Sequence, residues 1–346
     1  MSRVPHISVI LTVYKRTKYL TDALKSVLAQ SYHDYEIIVA DDSGTAAAKD
    51  IVRSFGDTKP ARYLANPSTM GVASSIVRAA KGARGDFIAI LNDDDVWEPD
   101  LLAKLVGPLD ADSDRVLATS DHWIMDASGK IDQDLSESWS VNFGRSSLSE
   151  GVVSDAVNFI VVKGGAAINI TSLFRKDAVD WSLVVPDVAG AYDYWISCVL
   201  AATRRPIYYV PQRLGRWRTH PRMETFRESH NKSEHLVHVY SRLLESNWFP
   251  EVRPALKTKL GEALCATGRD KLVFGRAQDA REYFWRCFRV TMDVRHLIRV
   301  VATFLPHTVR RKLRAYVGTL EKWTRYGPPT TGGLSSALSQ LSLNKP

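Results

Sequence analysis

The sequence predicts an α/β chain with a mostly parallel central sheet flanked by helices and a helical C-terminal extension. Three observations predict it. From Ile7 to about Met125 short apolar runs alternate with stretches of helical period, the pattern of successive βα units. Beyond about Thr225 strand signals vanish and helical spacing takes over. Two acidic groups, Asp41-Asp42 and Asp93-Asp94-Asp95, each follow an apolar run, so both fall at the carboxyl ends of strands, the edge where open α/β sheets bind ligands.

The elements follow in order. Ile7 to Val13 reads as a strand, and Leu20, Ala23, Leu24, Val27 and Leu28 recur at helical spacing behind it. Tyr35 to Ala40 reads as the second strand, ending in the turn sequence Asp41-Asp42-Ser43-Gly44. Asp86 to Leu91 reads as a buried strand, and a helix is expected to start near Glu98-Pro99. The polar stretch from Asp126 to Gly165, rich in Ser and Gly, predicts long loops with weak regular structure. Ile168 to Arg175 predicts a strand, Tyr192 to Thr203 a helix, and Pro206 to Val210 another strand. Leu236, Val239, Tyr240, Leu243 and Leu244 share one helix face, and helical segments continue to Trp323, broken at Pro250, Pro254 and Pro306. Gly327 to Pro346 is rich in Pro, Gly and Ser and reads as a flexible tail. The expected organisation is an α/β domain over 1–225, a helical region over 226–326 and the tail over 327–346.

With 346 residues, 45% hydrophobic and 24% charged, the composition is that of a globular protein. No apolar run reaches the ~18 residues of a spanning helix, and Met1 to Pro5 lacks the apolar segment of a secretory signal, which predicts a cytoplasmic protein. Cys198, Cys265 and Cys287 form no CxxC pair and read as core thiols. The net charge of +8 is concentrated near the C-terminus: residues 281–326 carry eleven Lys or Arg against three Asp or Glu. Ile298 to Leu305 and Arg310 to Arg314 would suit an anionic membrane surface, a helical module packed on the α/β domain, or a homodimer. No nucleic-acid partner is expected.

Asn92-Asp93-Asp94-Asp95 is the most informative run in the chain. Adjacent carboxylates raise one another's pKa unless a cation offsets them, and Mg²⁺ or Mn²⁺ takes oxygen ligands of this kind. An acidic turn capping the following helix is the alternative. After the first strand stands Tyr14-Lys15-Arg16-Thr17, so neither G-x-G-x-x-G nor a P-loop is present and an ordinary dinucleotide site is excluded. A metal held by aspartates is the usual substitute where phosphates must be bound.

Four motifs together resemble the inverting glycosyltransferases of family 2. Ser8 to Tyr14 with Leu24 to Tyr32 is similar to that family's opening strand and helix, Ile38 to Gly44 to its nucleotide-binding turn, and Asn92 to Pro99 to its DxD segment. Further similarity reaches about residue 225. The resemblance implies a GT-A fold, Rossmann-like in its sheet, acting on a nucleotide diphosphate sugar, most simply UDP-linked, and a saccharide or lipid-linked saccharide acceptor. It implies that Thr12 and Tyr14 line the base pocket, that Asp41 accepts from the base, and that Asp42 serves the same turn. Asp93 and Asp94 would meet the ribose, while Asp95, Asp93 and His220 would hold Mn²⁺ or Mg²⁺. Asp193, in Gly190-Ala191-Tyr192-Asp193, resembles the general base. Arg216 and Arg218, in Arg216-Trp217-Arg218-Thr219-His220, would contact the diphosphate, and Gly165 and Trp195 would shape the acceptor pocket. A non-catalytic sugar-nucleotide scaffold would have lost a metal carboxylate or the base, and a nucleotidyltransferase would release pyrophosphate instead.

Overall fold

The computed structural model describes residues 4–15, 17–43, 45, 47–55, 61–220 and 229–304, with the side chains of 229–232 left out. The predicted tail over 327–346, the basic run Arg310 to Arg314, and Gly44 of the predicted turn lie outside the described residues. Two compact units are present, Met1–Ala263 and Leu264–Pro346.

In the first unit, strand β1 (Ile7–Val13) is buried at all seven positions, as a strand covered on both faces must be. It pairs in parallel with β2 (Tyr35–Asp41), which in turn pairs with β3 (Ala61–Ala65). Its other neighbour is β4 (Phe87–Asn92), also parallel. Opposite Val13 stands Asp41, and opposite Thr12 stands Asn92, so both acidic groups leave the sheet at one edge. Helix α1 (Leu20–Leu28) buries Leu20, Ala23, Leu24 and Val27, the stripe read from the sequence. Helices α2 (Ala47–Ser54) and α3 (Val72–Lys81) follow β2 and β3.

Beyond β4 the sheet becomes mixed. A two-residue strand, β5 (Val96–Trp97), leads into α4 (Leu101–Asp110), which starts just past the expected Glu98-Pro99, the Leu101 N–H donating to the Glu98 carbonyl. The intervening segment is fastened to α1 through buried Gln30, whose amide donates to the Glu98 carbonyl at 2.7 Å and accepts from the Leu102 N–H at 3.0 Å. Next come β6 (Leu117–Met125), β7 (Ile131–Asp132), β8 (Gly151–Val152), β9 (Ser172–Arg175) and β10 (Ile207–Arg218). The strand order is β3-β2-β1-β4-β9-β6-β10-β5, with β7 on β6 and β8 on β10. Antiparallel β9 separates β4 from β6, whereas β6 and β10 are parallel to each other.

Two expectations from the sequence need correction. The stretch from Asp126 to Gly165 contains a ten-residue helix, α5 (Gln133–Asn142), and a π-helical turn, Asn158–Val162. Asp132 caps α5 by accepting from the Leu135 N–H, and the residues α5 buries are Ser136 and Ser140. With serines on the inward stripe the helix has no apolar period to read. Strand β10 runs eight residues past Val210, through the polar Gln212, Arg213 and Arg216. It shifts register against β6 twice, between Val210 and Arg213 and between Arg213 and Arg216.

The chain then continues through α6 (Tyr192–Ala202), which precedes β10, to α7 (Ser229–Ser246) and α8 (Arg253–Val273). In the second unit α9 (Ala277–Thr291) and α10 (Arg295–Ala302) follow, and no strand occurs among its described residues.

Candidate active site

The site lies at the carboxyl edge of β1, β2 and β4. Asn92, the last residue of β4, accepts at Oδ1 from Thr12 Oγ1 (2.9 Å) and from the Tyr192 hydroxyl (3.1 Å). One amide oxygen thus ties the end of β1 and the start of α6 to the strand that carries the aspartates. The Tyr14 N–H donates to Asp93 Oδ2 at 3.2 Å, drawing the β1 exit against the acidic turn.

The Asp41-Asp42 turn is anchored internally. Asp41 Oδ1 accepts from the Ser43 N–H (2.7 Å) and hydroxyl (2.5 Å), and its Oδ2 accepts from the Tyr63 hydroxyl. Burial, and secondarily the Asp41 carboxylate, push the Tyr63 phenol above its ordinary range. Asp42 accepts from Asn66 Nδ2 and the Met70 N–H at Oδ1 and from the Gly71 N–H at Oδ2, all at 2.8 Å. This carboxylate shapes the loop entering α3, where Gly71 stands at φ 83°, a conformation that favours glycine.

The three consecutive aspartates are buried and face different partners. Asp95 Oδ1 accepts from the Arg218 N–H at 2.9 Å. Asp94 Oδ2 lies 3.1 Å from His220 Nε2. The buried Arg218 donates Nε to the Asp94 carbonyl at 2.9 Å, reaches Asp22 at 3.3 Å, and stacks 4.4 Å from the Tyr19 ring, which also lies 5.1 Å from the His220 ring. Arg218 thereby fixes the acidic turn from behind while β10 delivers His220 to its front.

Among the described residues no group of three or more His, Cys, Asp or Glu is arranged to hold a metal ion. The donor chemistry nonetheless fits a hard divalent ion of the kind held by one or two protein ligands with phosphate oxygens and water completing the shell. Asp94 and His220 offer one oxygen and one nitrogen side by side.

The other residues expected at the site have well-defined surroundings. Arg216 is occupied by Glu98, with Nε at 2.7 Å and Nη2 at 3.1 Å from the two carboxylate oxygens. Asp193, in the first turn of α6, accepts from the Tyr194 N–H at 2.8 Å, next to the Tyr192 that reaches Asn92. Trp195 is buried, donates to the Leu183 carbonyl and stacks on Trp248 at 5.6 Å. Gly165 packs against the Phe159 ring with no room for a Cβ, and its carbonyl accepts from Arg145 Nε at 2.7 Å. The contacts therefore gather Thr12, Tyr14, Asp93, Asp94, Asp95, Arg218 and His220, while Arg216, Gly165 and Trp195 are engaged elsewhere.

Sequence reasoning did not assign Asn92, Tyr19, Asp22, Tyr63, Asn66 or Tyr192 to the site. It also missed a buried cluster behind β10. Asp121 pairs with Arg145 (3.4 Å) and Arg213 (3.3 Å), and Arg145 Nη1 lies 3.1 Å from His122 Nδ1. Burial, then Arg145 and Arg213, hold the His122 imidazole well below its usual pKa. Asp121 stands opposite Arg213 between the two register shifts, so the cluster pins the bulged part of β10.

Residues 8–158 match the family model described as Glycosyl transferase family 2. This region belongs to that family. The chain is 35% identical over 104 residues to an uncharacterized glycosyltransferase, alr2836, of Nostoc, covering 29% of this chain and 31% of the relative. It is 34% identical over 103 residues to the putative teichuronic acid biosynthesis glycosyltransferase TuaG of Bacillus subtilis, covering 29% and 40%. An uncharacterized glycosyltransferase of Rickettsia conorii, RC0461, is 22% identical over 92% of this chain and 51% of its own. The chain thus spans between 31% and 51% of the length of these curated relatives. Among solved structures, S. aureus TarS 1-349 in complex with UDP-GlcNAc superposes with a TM-score of 0.54 at 16% identity, over 80% of this chain and 89% of that one. The mannosyltransferase PcManGT from Pyrobaculum calidifontis, in complex with GDP-Man and Mn²⁺, superposes at 0.52 and 14% identity, over 90% and 87%. The fold is of the GT-A type, and no described helix is long and apolar enough to cross a membrane.

Proposed function

We propose that this glycosyltransferase moves a sugar from a UDP-linked donor to a hydroxyl of a saccharide or lipid-linked saccharide, with inversion and with Mn²⁺ or Mg²⁺ bound. The observation that carries the reading is the pair Asp94 Oδ2 and His220 Nε2, 3.1 Å apart at the carboxyl edge of the sheet. TarS bound to UDP-GlcNAc and PcManGT bound to GDP-Man and Mn²⁺ support it by analogy of fold. Asp94 and His220 would hold the ion, with Asp93 and Asp95 bracing the turn. When bound, such an ion offsets the charge that grows on the departing diphosphate.

Thr12 and Tyr14 line the base, and the Asp41-Asp42 turn closes that pocket. Asp193 orients the acceptor hydroxyl and takes its proton as the oxygen attacks the anomeric carbon from the face opposite the leaving group, so one displacement inverts the centre. The Tyr192 bond to Asn92 keeps that carboxylate registered with the donor side.

The test incubates purified protein with UDP sugars, Mn²⁺ and saccharide acceptors. Nucleoside diphosphate and a glycoside of opposite anomeric configuration are expected. Undiminished transfer by Asp193→Asn removes the assigned base. Pyrophosphate release would instead indicate nucleotidyl transfer, and donor binding without turnover a scaffold.

A further inference from the structure

Helix α10 is amphipathic in the reverse of the usual sense. Its inward side carries His296, 9% exposed, and its C-cap residue Thr303, 4% exposed, with Arg299 donating to Cys265 Sγ and lying 2.9 Å from His296 Nδ1. Its outward side carries Val294, Ile298 and Val301, each at least 64% exposed, and Phe304 continues the row at 65%. The spacing of four, three and three places them on one face. A contiguous apolar row turned to solvent marks a surface that is covered in use.

The rim of this row is cationic. The Arg281 guanidinium sits 3.5 Å above the Phe304 ring, and Arg295, whose side chain is 80% exposed, pairs with Asp293 at 2.6 Å beside Val294. The surrounding sequence, 281–326, carries eleven Lys or Arg against three acids. Apolar side chains fringed by arginine on a short helix match the boundary between acyl chains and anionic headgroups, where the apolar row enters the interface and the cations meet phosphate.

We propose that the outward face of α10, Val294, Ile298, Val301 and Phe304 with Arg281 and Arg295 at its rim, docks on an anionic lipid surface. This does not depend on the transfer reaction. The occupant is a bilayer rather than a second copy of the chain because the cationic rim would meet itself across a two-fold interface, while an anionic bilayer complements it. Attachment combines a small apolar insertion with a screened electrostatic attraction, so it weakens steeply with salt.

The experiment sediments the full chain with sucrose-loaded vesicles of phosphatidylglycerol and phosphatidylcholine, and with phosphatidylcholine alone. It is run at ~0.01 M salt, where screening extends ~30 Å, and at ~1 M, where it extends ~3 Å. Binding only to the anionic vesicles is expected at low salt. The variant Val294→Ser/Ile298→Ser/Val301→Ser is expected to bind about tenfold more weakly, with an unchanged melting temperature and oligomeric state. Absence of binding to anionic vesicles at low salt overturns the proposal. So does a variant that binds vesicles as well as the parent. A variant that melts earlier or dissociates an oligomer also overturns it, by showing that the row is covered by protein.

Discussion

Asp94 Oδ2 and His220 Nε2 meet at 3.1 Å across 126 positions of chain, joining the turn after β4 to the residue just past β10. On the proposed reading this carboxylate and imidazole would be the two protein ligands of a hard cation. Asp94→Ala and His220→Ala are each expected to lower transfer by ~10²-fold or more, about 3 kcal/mol of barrier. Initial rates over a Mn²⁺ titration check this. Calorimetry adds a second readout: UDP should bind the parent more tightly with Mn²⁺ than with chelator, and Asp94→Ala should erase the difference.

Asp95 is expected to act on stability as well as activity. Its Oδ1 accepts from the buried Arg218 N–H, and Asp95→Ala removes a charged acceptor from a buried donor at a cost of ~1–3 kcal/mol. Urea unfolding should show a lower midpoint with an unchanged slope. An unchanged midpoint would disprove the bracing role.

Asp42 holds two backbone N–H groups and the Asn66 amide. Asp42→Ala leaves all three without their acceptor, and a loss of ~2–3 kcal/mol is expected in thermal unfolding. Asp42→Asn, which can still accept from some of them, should lose less.

The cluster behind β10 predicts a pH dependence. His122 is held neutral in the folded protein, its pKa lowered first by burial, while the unfolded chain titrates near the ordinary ~6.5. Below ~6.5 the unfolded state therefore binds a proton that the folded state refuses, so stability is complete above that pH and falls as pH drops, by up to ~1.4 kcal/mol per unit. The groups facing His122 are Arg145, Asp121 and Arg213. His122→Gln should flatten the profile of melting temperature between neutral and mildly acid pH. A parent profile already flat there would contradict the assignment.

Asp121 pairs with both Arg145 and Arg213, so Asp121→Ala deprives the buried Arg145 of its carboxylate, while the partly exposed Arg213 keeps Glu137 at 2.7 Å. The expected loss is ~3–5 kcal/mol by chemical denaturation.

Much of the fold was legible because the opening strands obey simple rules. β1 and β2 are mostly apolar and buried throughout, as strands covered on both faces are, and the acidic groups after β2 and β4 leave the sheet at one edge. Helix α5 was hidden because Ser136 and Ser140 occupy its buried stripe. The far half of β10 was hidden because Arg213 and Arg216 find their partners in Asp121 and Glu98, contacts distant in sequence. The acidic run was visible, but the division of labour within it was not. Three adjacent residues in a turn point to three places, and only the arrival of Arg218 and His220 distinguishes Asp95 from Asp94.

The two register shifts in β10 give this strand a form of slack. Its first residues are locked into the interior beside β6, while its last ones deliver the histidine that meets Asp94. A length change confined to the bulged stretch could re-aim the delivered side chains without disturbing the locked ones. The strand thus separates a fixed anchor from an adjustable tip within one continuous element.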